Sequence, residues 1–317
     1  MRIVILGYKG LIGKSILKNL SKNTSNKIIC VGRTIKKKKN QNANINYIKW
    51  DFNTFDKHNL FFLKKADIII NCVGKLNNDE DELKKINILF LKKFIKYLIC
   101  LKLKVRIVHL SSVSVYGGAK SYFGKNKLIK ETSTIKTNDL YSESKLKSDK
   151  IIKNAVRKNL NENLSFTILR ISNVFGGEKK SNLINFVLIS LKLGFWIRTS
   201  KNVMYNFINV HDVSQVVQLI ISKLKISKNK TYIVSDDCKQ YEVVEMYKKF
   251  YKNKIRTISI PFFIVKFLIF FFPLPKKLLN FSLIISSKVS YSNEKIRKEL
   301  NFKPKYSFSK KKNYKNE

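Results

Sequence analysis

The segment YSESK, Tyr141 to Lys145, sets a phenol and an ammonium four residues apart. Residues at that spacing share a helix face, so the Lys145 ammonium can lie near the Tyr141 phenol. A neighbouring positive charge favours phenolate and lowers the tyrosine pKa toward a value useful for proton transfer. In a chain with 64 lysines and arginines such a pair also arises by chance. Ser112, in VHLSSVSVYGG at the end of an apolar run, adds a third group. Its hydroxyl can donate a hydrogen bond to a substrate carbonyl or hydroxyl oxygen.

A second kind of chemistry is written in GYKGLIG. Three of the chain's 11 glycines, Gly7, Gly10 and Gly13, fall there, directly after an apolar run and opening a helical pattern. This GxxGxxG spacing removes side chains where the backbone must turn sharply and approach a pyrophosphate, which then sits at the positive helix end. The alternative is a tight strand-to-helix turn with incidental glycines. Arg33 follows the second apolar run, about twenty residues beyond the last motif glycine, where such folds usually carry an acid for the ribose hydroxyls. Arginine cannot accept those hydrogen bonds, but it can donate to a 2′-phosphate and stack on adenine. NADP(H) is therefore the favoured cofactor and NAD(H) the alternative, unless Arg33 is simply a solvated loop residue. Asp51, in IKWDF, falls where a third strand would end and could accept from the adenine amino group, or be a surface turn acid.

These groups need a scaffold, and the first half of the chain supplies one. β-Branched runs at 2–7, 27–32, 66–74, 105–112 and 165–172 alternate with helical patterns at 11–20, 80–101 and 140–160. That alternation predicts an α/β fold, a Rossmann-like doubly wound parallel sheet. The dinucleotide-binding domain is expected at 1–172. Strict alternation weakens after Phe175 and all four prolines lie at or after Pro261, so 173–306 reads as a smaller mixed α/β substrate region, partly interleaved with the first. It would sit over the carboxyl ends of the strands, where ligands bind in such sheets. The closing residues 307–317 read as a frayed basic tail.

Composition excludes more than it assigns. The formal charge of +43 would ordinarily point to nucleic acid, but the lysines are spread along the whole chain among abundant Asn and Ile. A nucleic-acid footprint would be clustered and interleaved with aromatics, so no nucleic-acid partner is expected. The four cysteines are widely separated and form no CxxC pair, which indicates neither a disulfide framework nor a metal site. The opening MRIVILG reaches glycine after four apolar residues, too short for the core of a secretion signal, so a cytoplasmic location is expected.

Taken together, the glycine motif, the serine before VYG and YSESK resemble the extended short-chain dehydrogenases/reductases, specifically the NAD-dependent epimerase/dehydratase family acting on nucleotide sugars. Further matching segments run to about Phe308: INILFLKKFI, ILRISNVFGG, YNFINVHDVSQVV and YSNEKIRKELNFKPKYSF. The resemblance implies that Tyr141 is the catalytic acid/base, Lys145 its pKa modifier and the nicotinamide-ribose anchor, and Ser112 the partner of the reacting oxygen. It makes Gly7, Lys9, Gly10, Leu11, Ile12, Gly13, Arg33, Asp51, Phe52, Gly74 and Asn87 cofactor-binding residues alongside Tyr141 and Lys145. Ser112, Ser114 and Asn173 would face a nucleotide-sugar substrate, and a homodimer is expected. Asp212 reads as a helix cap.

Departures from the family pattern narrow the activity. The Asp-Glu pair that sugar 4,6-dehydratases carry after the active hydroxyl residue is Val113 and Ser114 here, which disfavours dehydration. The family arginine that often binds the diphosphate is Tyr205, Asn71 replaces a common strand histidine, and Ile171 replaces a common proline. With Arg33 tilting the choice, the sequence favours NADPH-dependent reduction of a 4-keto nucleotide sugar. A 4-epimerase with bound NAD is the alternative, and a noncatalytic NAD(P)-binding scaffold the alternative of another class. Scaffolds on this fold typically lose the tyrosine or the lysine, and both are present.

One segment stands apart from this reading. Residues 258–275, ISIPFFIVKFLIFFFPLP, are apolar apart from Lys266 and carry basic flanks at Lys254, Arg256, Lys276 and Lys277. A central lysine and an internal proline argue against a membrane-spanning helix. A buried helix of the substrate region is the expectation, and peripheral membrane contact or a dimer surface the sharper alternative.

Overall fold

Seven runs rich in β-branched residues pair into one parallel sheet: β1 (Arg2–Leu6), β2 (Lys27–Gly32), β3 (Ile45–Lys49), β4 (Ile68–Asn71), β5 (Val105–Ser112), β6 (Leu164–Ile171) and β7 (Lys230–Val234). Their order is β7-β6-β5-β4-β1-β2-β3, and every pairing is parallel. The computed structural model describes residues 1–35, 43–55, 60–76, 79–158, 163–177, 187, 189–251, 254–273 and 275–309. The lysine run at 36–39, expected from its charge to be a solvated loop, lies outside the described residues, as do 310–317.

Successive side chains of a strand point to opposite faces, and here both faces are covered. Ile3 and Ile5 of β1 join one apolar cluster with Ile16 and Leu20 of α1 (Leu11–Leu20) and with Val213, Val216, Val217 and Ile220. Val4 and Leu6 join another with Phe90, Phe94, Ile95 and Leu98. The predicted helix over 80–101 forms in three parts: Glu80–Leu83, a π-helical stretch Lys84–Phe90, and α2 (Leu91–Cys100). The pattern at 140–160 becomes α3 (Leu140–Lys158).

The smaller region has its own core, in which Phe175, Trp196, Tyr205, Phe207, Val243, Tyr247 and Phe308 are buried together. Phe308 therefore does not belong to a frayed tail: its ring packs at a tilt against Phe207 with centroids 4.5 Å apart. β7 comes from the second half of the chain yet completes the large sheet. It lies beyond α4 (Val210–Ser222). Residues 258–275 are not one element. A short strand, Arg256–Ser259, ends before Pro261, and α5 (Phe262–Phe271) follows. No helix among the described residues is long and apolar enough to cross a membrane.

Candidate active site

The sheet order reverses between β1 and β4, and ligands of open parallel sheets bind beyond the strand ends at such a point. The glycine motif begins there. Gly7 has φ +77°, and a Cβ on it would lie 3.2 Å from the backbone of Cys72 and Val73 after β4. A Cβ on Gly13 would stand 2.5 Å from the Gly7 carbonyl oxygen. The start of α1 is thus pressed onto the turn after β1, which only glycine permits. Gly10 caps α1 through its backbone alone, and the first turn holds no acidic side chain. The N–H groups of Leu11, Ile12 and Gly13 therefore face outward without a capping side chain, which fits the pyrophosphate of a dinucleotide.

Around this turn the other expected cofactor residues fall into place unequally. Lys9 Nζ donates to Thr34 Oγ1 at 2.6 Å, which brings its ammonium beside the exposed Arg33 at the end of β2. Asp51, two residues past β3, accepts from both Asn53 N and Asn53 Nδ2 at 3.0 Å, an Asx turn. The Phe52 ring is buried against Trp50 and Phe90, with centroids 5.5 and 5.2 Å away, so only its backbone can meet a ligand.

The side chains expected to be catalytic converge where β5 ends. Asp139 Oδ1 accepts from Ser142 N at 2.6 Å and caps the start of α3. Asn138 Nδ2 donates to the Gly117 carbonyl at 2.7 Å, tying that helix start to the segment after Ser112. Lys145, only 7% exposed, donates from Nζ to the Leu110 carbonyl at 3.0 Å. A Cβ on Gly74 would come 3.0 Å from the same Nζ, so this glycine makes room for the ammonium. Nζ lies 6.0 Å from the centre of the Tyr141 ring. Burial brings the Lys145 pKa down to about 8, against the opposing pull of Asp149 and Cys72.

One expectation about the tyrosine is reversed. Burial pushes the Tyr141 pKa up to about 12, the Ser112 hydroxyl lowers it in part, and Asp139 raises it further. Lys145 is not among the groups that lower it. The physical reason is that desolvation of the phenolate outweighs a cation 6.0 Å away that is itself partly discharged by burial.

Supporting residues hold this geometry in hydrogen-bonded chains. Asn87, in the π-helical stretch, accepts from Lys75 N at 2.9 Å, donates to Lys75 O at 3.2 Å and donates to Ser144 Oγ at 2.9 Å. It joins the turn beyond Gly74 to α3, and π-bulges are frequent at such sites. Asn71 Oδ1 accepts from Val73 N at 3.1 Å, so its Nδ2 faces His109 Nδ1 at 3.1 Å. Ser148 donates to the Lys145 carbonyl at 2.7 Å and meets His109 Nε2 at 3.1 Å. The chain closes only if Nε2 carries the proton, and burial holds the imidazole neutral, well below its ordinary pKa. On the same helix Asp149 pairs with Arg170, 3.1 Å from both Nε and Nη2, and Arg170 Nη1 donates to the Tyr116 hydroxyl at 2.6 Å.

Of the residues expected to face substrate, Ser112 Oγ accepts from Ser114 N at 3.1 Å, and Ser114 Oγ is buried with no hydrogen-bond partner among the described residues. Asn173 is exposed at the edge of the smaller region, with Nδ2 on the Asn206 carbonyl at 3.1 Å. Tyr205 is buried among Trp196 and Phe207, its hydroxyl meeting Gln240 Nε2 at 3.4 Å, so it cannot stand in for a diphosphate-binding arginine. Asp212 is not the helix cap. Asn209 caps α4 by accepting from His211 N at 2.8 Å, while Asp212 accepts from Lys305 N and Tyr306 N at 2.9 and 3.0 Å and fastens the C-terminal segment.

Sequence reasoning missed Asn138, Asp139, His109 and Ser148. The Asp-x-x-Ser spacing of 139–142 was a legible capping signal. His109 was hidden inside a continuous apolar strand.

A doubly wound sheet with this glycine turn, and a tyrosine-lysine pair at the end of β5, defines an enzyme of the extended short-chain dehydrogenase/reductase type. The chain belongs to the NAD dependent epimerase/dehydratase family, whose model matches residues 3–235. It is 26% identical over 232 residues to ADP-L-glycero-D-manno-heptose-6-epimerase of Brachyspira hyodysenteriae, covering 68% of this chain and 70% of that one. In fold it is similar to UDP-glucuronic acid 4-epimerase from Bacillus cereus, solved in complex with NAD: TM-score 0.72, 15% identity, 98% of this chain and 95% of that one. The dTDP-glucose 4,6-dehydratase from Bacillus anthracis, also in complex with NAD, gives 0.69 at 17% identity, covering 98% and 93%.

Proposed function

We propose that the protein is a nucleotide-sugar epimerase that oxidises one carbinol carbon of its substrate and then reduces it again, with Tyr141 taking up and returning the hydroxyl proton. The observation that carries this reading is the convergence of Ser112, Tyr141 and the buried Lys145 ammonium at the end of β5, beside the Gly74 turn. The sugar class is supported by the named activities of the relatives. Gly7, Gly10 and Gly13 with the Leu11 and Ile12 N–H groups would hold the pyrophosphate. Arg33 and Lys9 would meet the adenosine end with Asp51 and the Phe52 backbone, and Gly74, Asn87 and Lys145 the nicotinamide riboside. A bound nicotinamide supplies the hydride acceptor and donor, and in its oxidised form a positive charge.

The chain's own residues do the proton chemistry. Ser112 orients the substrate oxygen and Tyr141 exchanges its proton with it, while the Lys145 ammonium would hold the nicotinamide riboside beside them. Ser114 Oγ, buried without a partner among the described residues, is suited to bond a substrate hydroxyl. With Val113 and Ser114 in place of a carboxylate pair, the site has no acid and base for eliminating water, so dehydration is not part of the proposal.

A second reading rests on Arg33. Its exposed guanidinium, with Lys9 nearby, suits the 2′-phosphate of NADPH, the cofactor of biosynthetic reductions, so reduction of a 4-keto nucleotide sugar is the competing activity. Incubation with NAD or NADP and ADP-, UDP- and dTDP-sugars, followed by NMR of the product, distinguishes the two. Redox-neutral inversion supports the epimerase, and stoichiometric NADPH consumption with a 4-keto sugar supports the reductase. Cofactor binding without turnover of either substrate type would refute both and leave a scaffold. Arg33→Asp is expected to shift binding preference from NADP toward NAD; equal preference before and after would remove Arg33 from the argument.

A further inference from the structure

α5 carries an apolar surface that the fold leaves uncovered. In this helix only Val265 is buried, while Phe263 (70% exposed), Phe270 (80%) and Phe271 (64%) face outward with Ile264, Phe267 and Leu268. At about 100° per residue these six side chains span an arc of about 160°, and the exposed Lys266 stands at its edge. Phe272 and, on the preceding strand, Ile258 extend the surface. The helix is anchored through its first residue: the Phe262 ring lies 5.0 Å from Phe123, and a Cβ on Gly124 would collide with it. Ten residues make a rod about 15 Å long, too short to cross a bilayer but sufficient to lie in its surface.

Charge decides what covers this face. Between Glu245 and Glu294 the chain contains no Asp or Glu, while Lys254, Arg256 and Lys266 are exposed around the helix and Lys288 Nζ stands 5.9 Å from the Phe262 ring. A second copy packed face to face would set these cations against one another. Anionic lipid headgroups would pair with them while the phenylalanines enter the acyl boundary, and Lys266 would reach outward to the headgroups. We propose that α5 lies in the plane of an anionic phospholipid bilayer and docks the protein on it peripherally.

The test must separate insertion from bulk attraction, because a chain of net charge +43 is drawn to any anionic vesicle at low salt. The full chain is floated at 0.3 M salt with phosphatidylcholine vesicles, with or without phosphatidylglycerol. The wild type is expected to float with the mixed vesicles, and Phe263→Glu with Phe270→Glu to lower its partitioning about ten-fold or more. Both positions are exposed, so folding is unaffected, which a thermal melt checks. Phe270→Trp reports depth: brominated acyl chains are expected to quench it, whereas Trp50 and Trp196 are each 2% exposed and shielded. Failure to float, flotation indifferent to the double substitution, or an indole that bromine does not quench would each overturn the proposal. So would an indole already buried without vesicles in a dimer that the double substitution dissociates.

Discussion

Lys145 is a cation held where water cannot reach it, and Lys145→Met should expose the cost. Burial moves its pKa from 10.5 to about 8, an offset equivalent to about 3 kcal/mol of destabilisation at neutral pH. The sign follows from proton counting. Between those two values the unfolded chain holds the proton and the folded chain has released it, so the penalty is full below about pH 8 and fades as pH rises toward 10.5. Methionine keeps the stem and removes the charge, but it leaves the Leu110 carbonyl without its 3.0 Å donor, a loss of about 1–3 kcal/mol that does not vary with pH. The informative quantity is therefore the stability of the variant minus that of the wild type at each pH. That difference is expected to shift by about 2–3 kcal/mol against the variant between pH 7 and pH 10. Buried Cys30, pushed up to about 12, acts in the opposite direction equally in both proteins, whereas Cys72, also pushed up to about 12, loses the lowering pull of Lys145 in the variant and so adds to the shift against it. Urea unfolding followed through the buried Trp50 and Trp196 measures it. A pH-independent difference would refute the picture of a desolvated ammonium. Turnover should be lost in the variant throughout.

Three further outcomes follow from the geometry. Tyr141→Phe should keep cofactor binding, read by tryptophan quenching, and lower turnover by about 10²–10⁴-fold. Gly13→Ala places a methyl 2.5 Å from the Gly7 carbonyl, so dinucleotide affinity should collapse and stability fall by about 1–3 kcal/mol, measured by titration and thermal melting. Asn87→Leu leaves both backbone groups of Lys75 and the Ser144 hydroxyl without this partner. It should cost about 1–3 kcal/mol and raise the KM for the cofactor more than that for the sugar.

The sheet and its glycine turn were legible because they rest on local signals: β-branched runs and a spacing that repeats in consecutive residues. β3 and β7 were harder. INYIK is an edge strand with a half-exposed face, and KTYIV sits far along the chain, between two helices and apart from the other strands of the sheet. The apolar run at 258–275 reads as a single buried helix until Pro261 starts a new element and the sheet has no face left to receive it. The π-helical turn around Asn87 leaves apolar spacing almost unchanged, so periodicity cannot reveal it. Lys145 was placed correctly beside Tyr141, but the direction of the tyrosine's pKa was not, because desolvation depends on which distant strands and loops close over the phenol.

The register of α3 explains why so much polar material is buried beneath it. Its buried residues are Ser142, Ser144, Lys145, Ser148, Asp149 and Ile152, of which only the last is apolar. An apolar face would bind the sheet as tightly, but it would tolerate slippage between nearly equivalent packings. Each residue of slip rotates a helix by about 100° and advances it about 1.5 Å, enough to carry Tyr141 away from Ser112. Misplacement of about 1 Å already costs on the order of a hundred-fold in rate. Ser144 is fixed by Asn87, Ser148 by His109, Asp149 by Arg170 and Lys145 by the Leu110 carbonyl. Each of these bonds has a donor and an acceptor that meet in one register only. The polar stripe therefore positions the phenol along and around the helix axis, and in the proposed mechanism the desolvated lysine within it serves the reaction as well as the register.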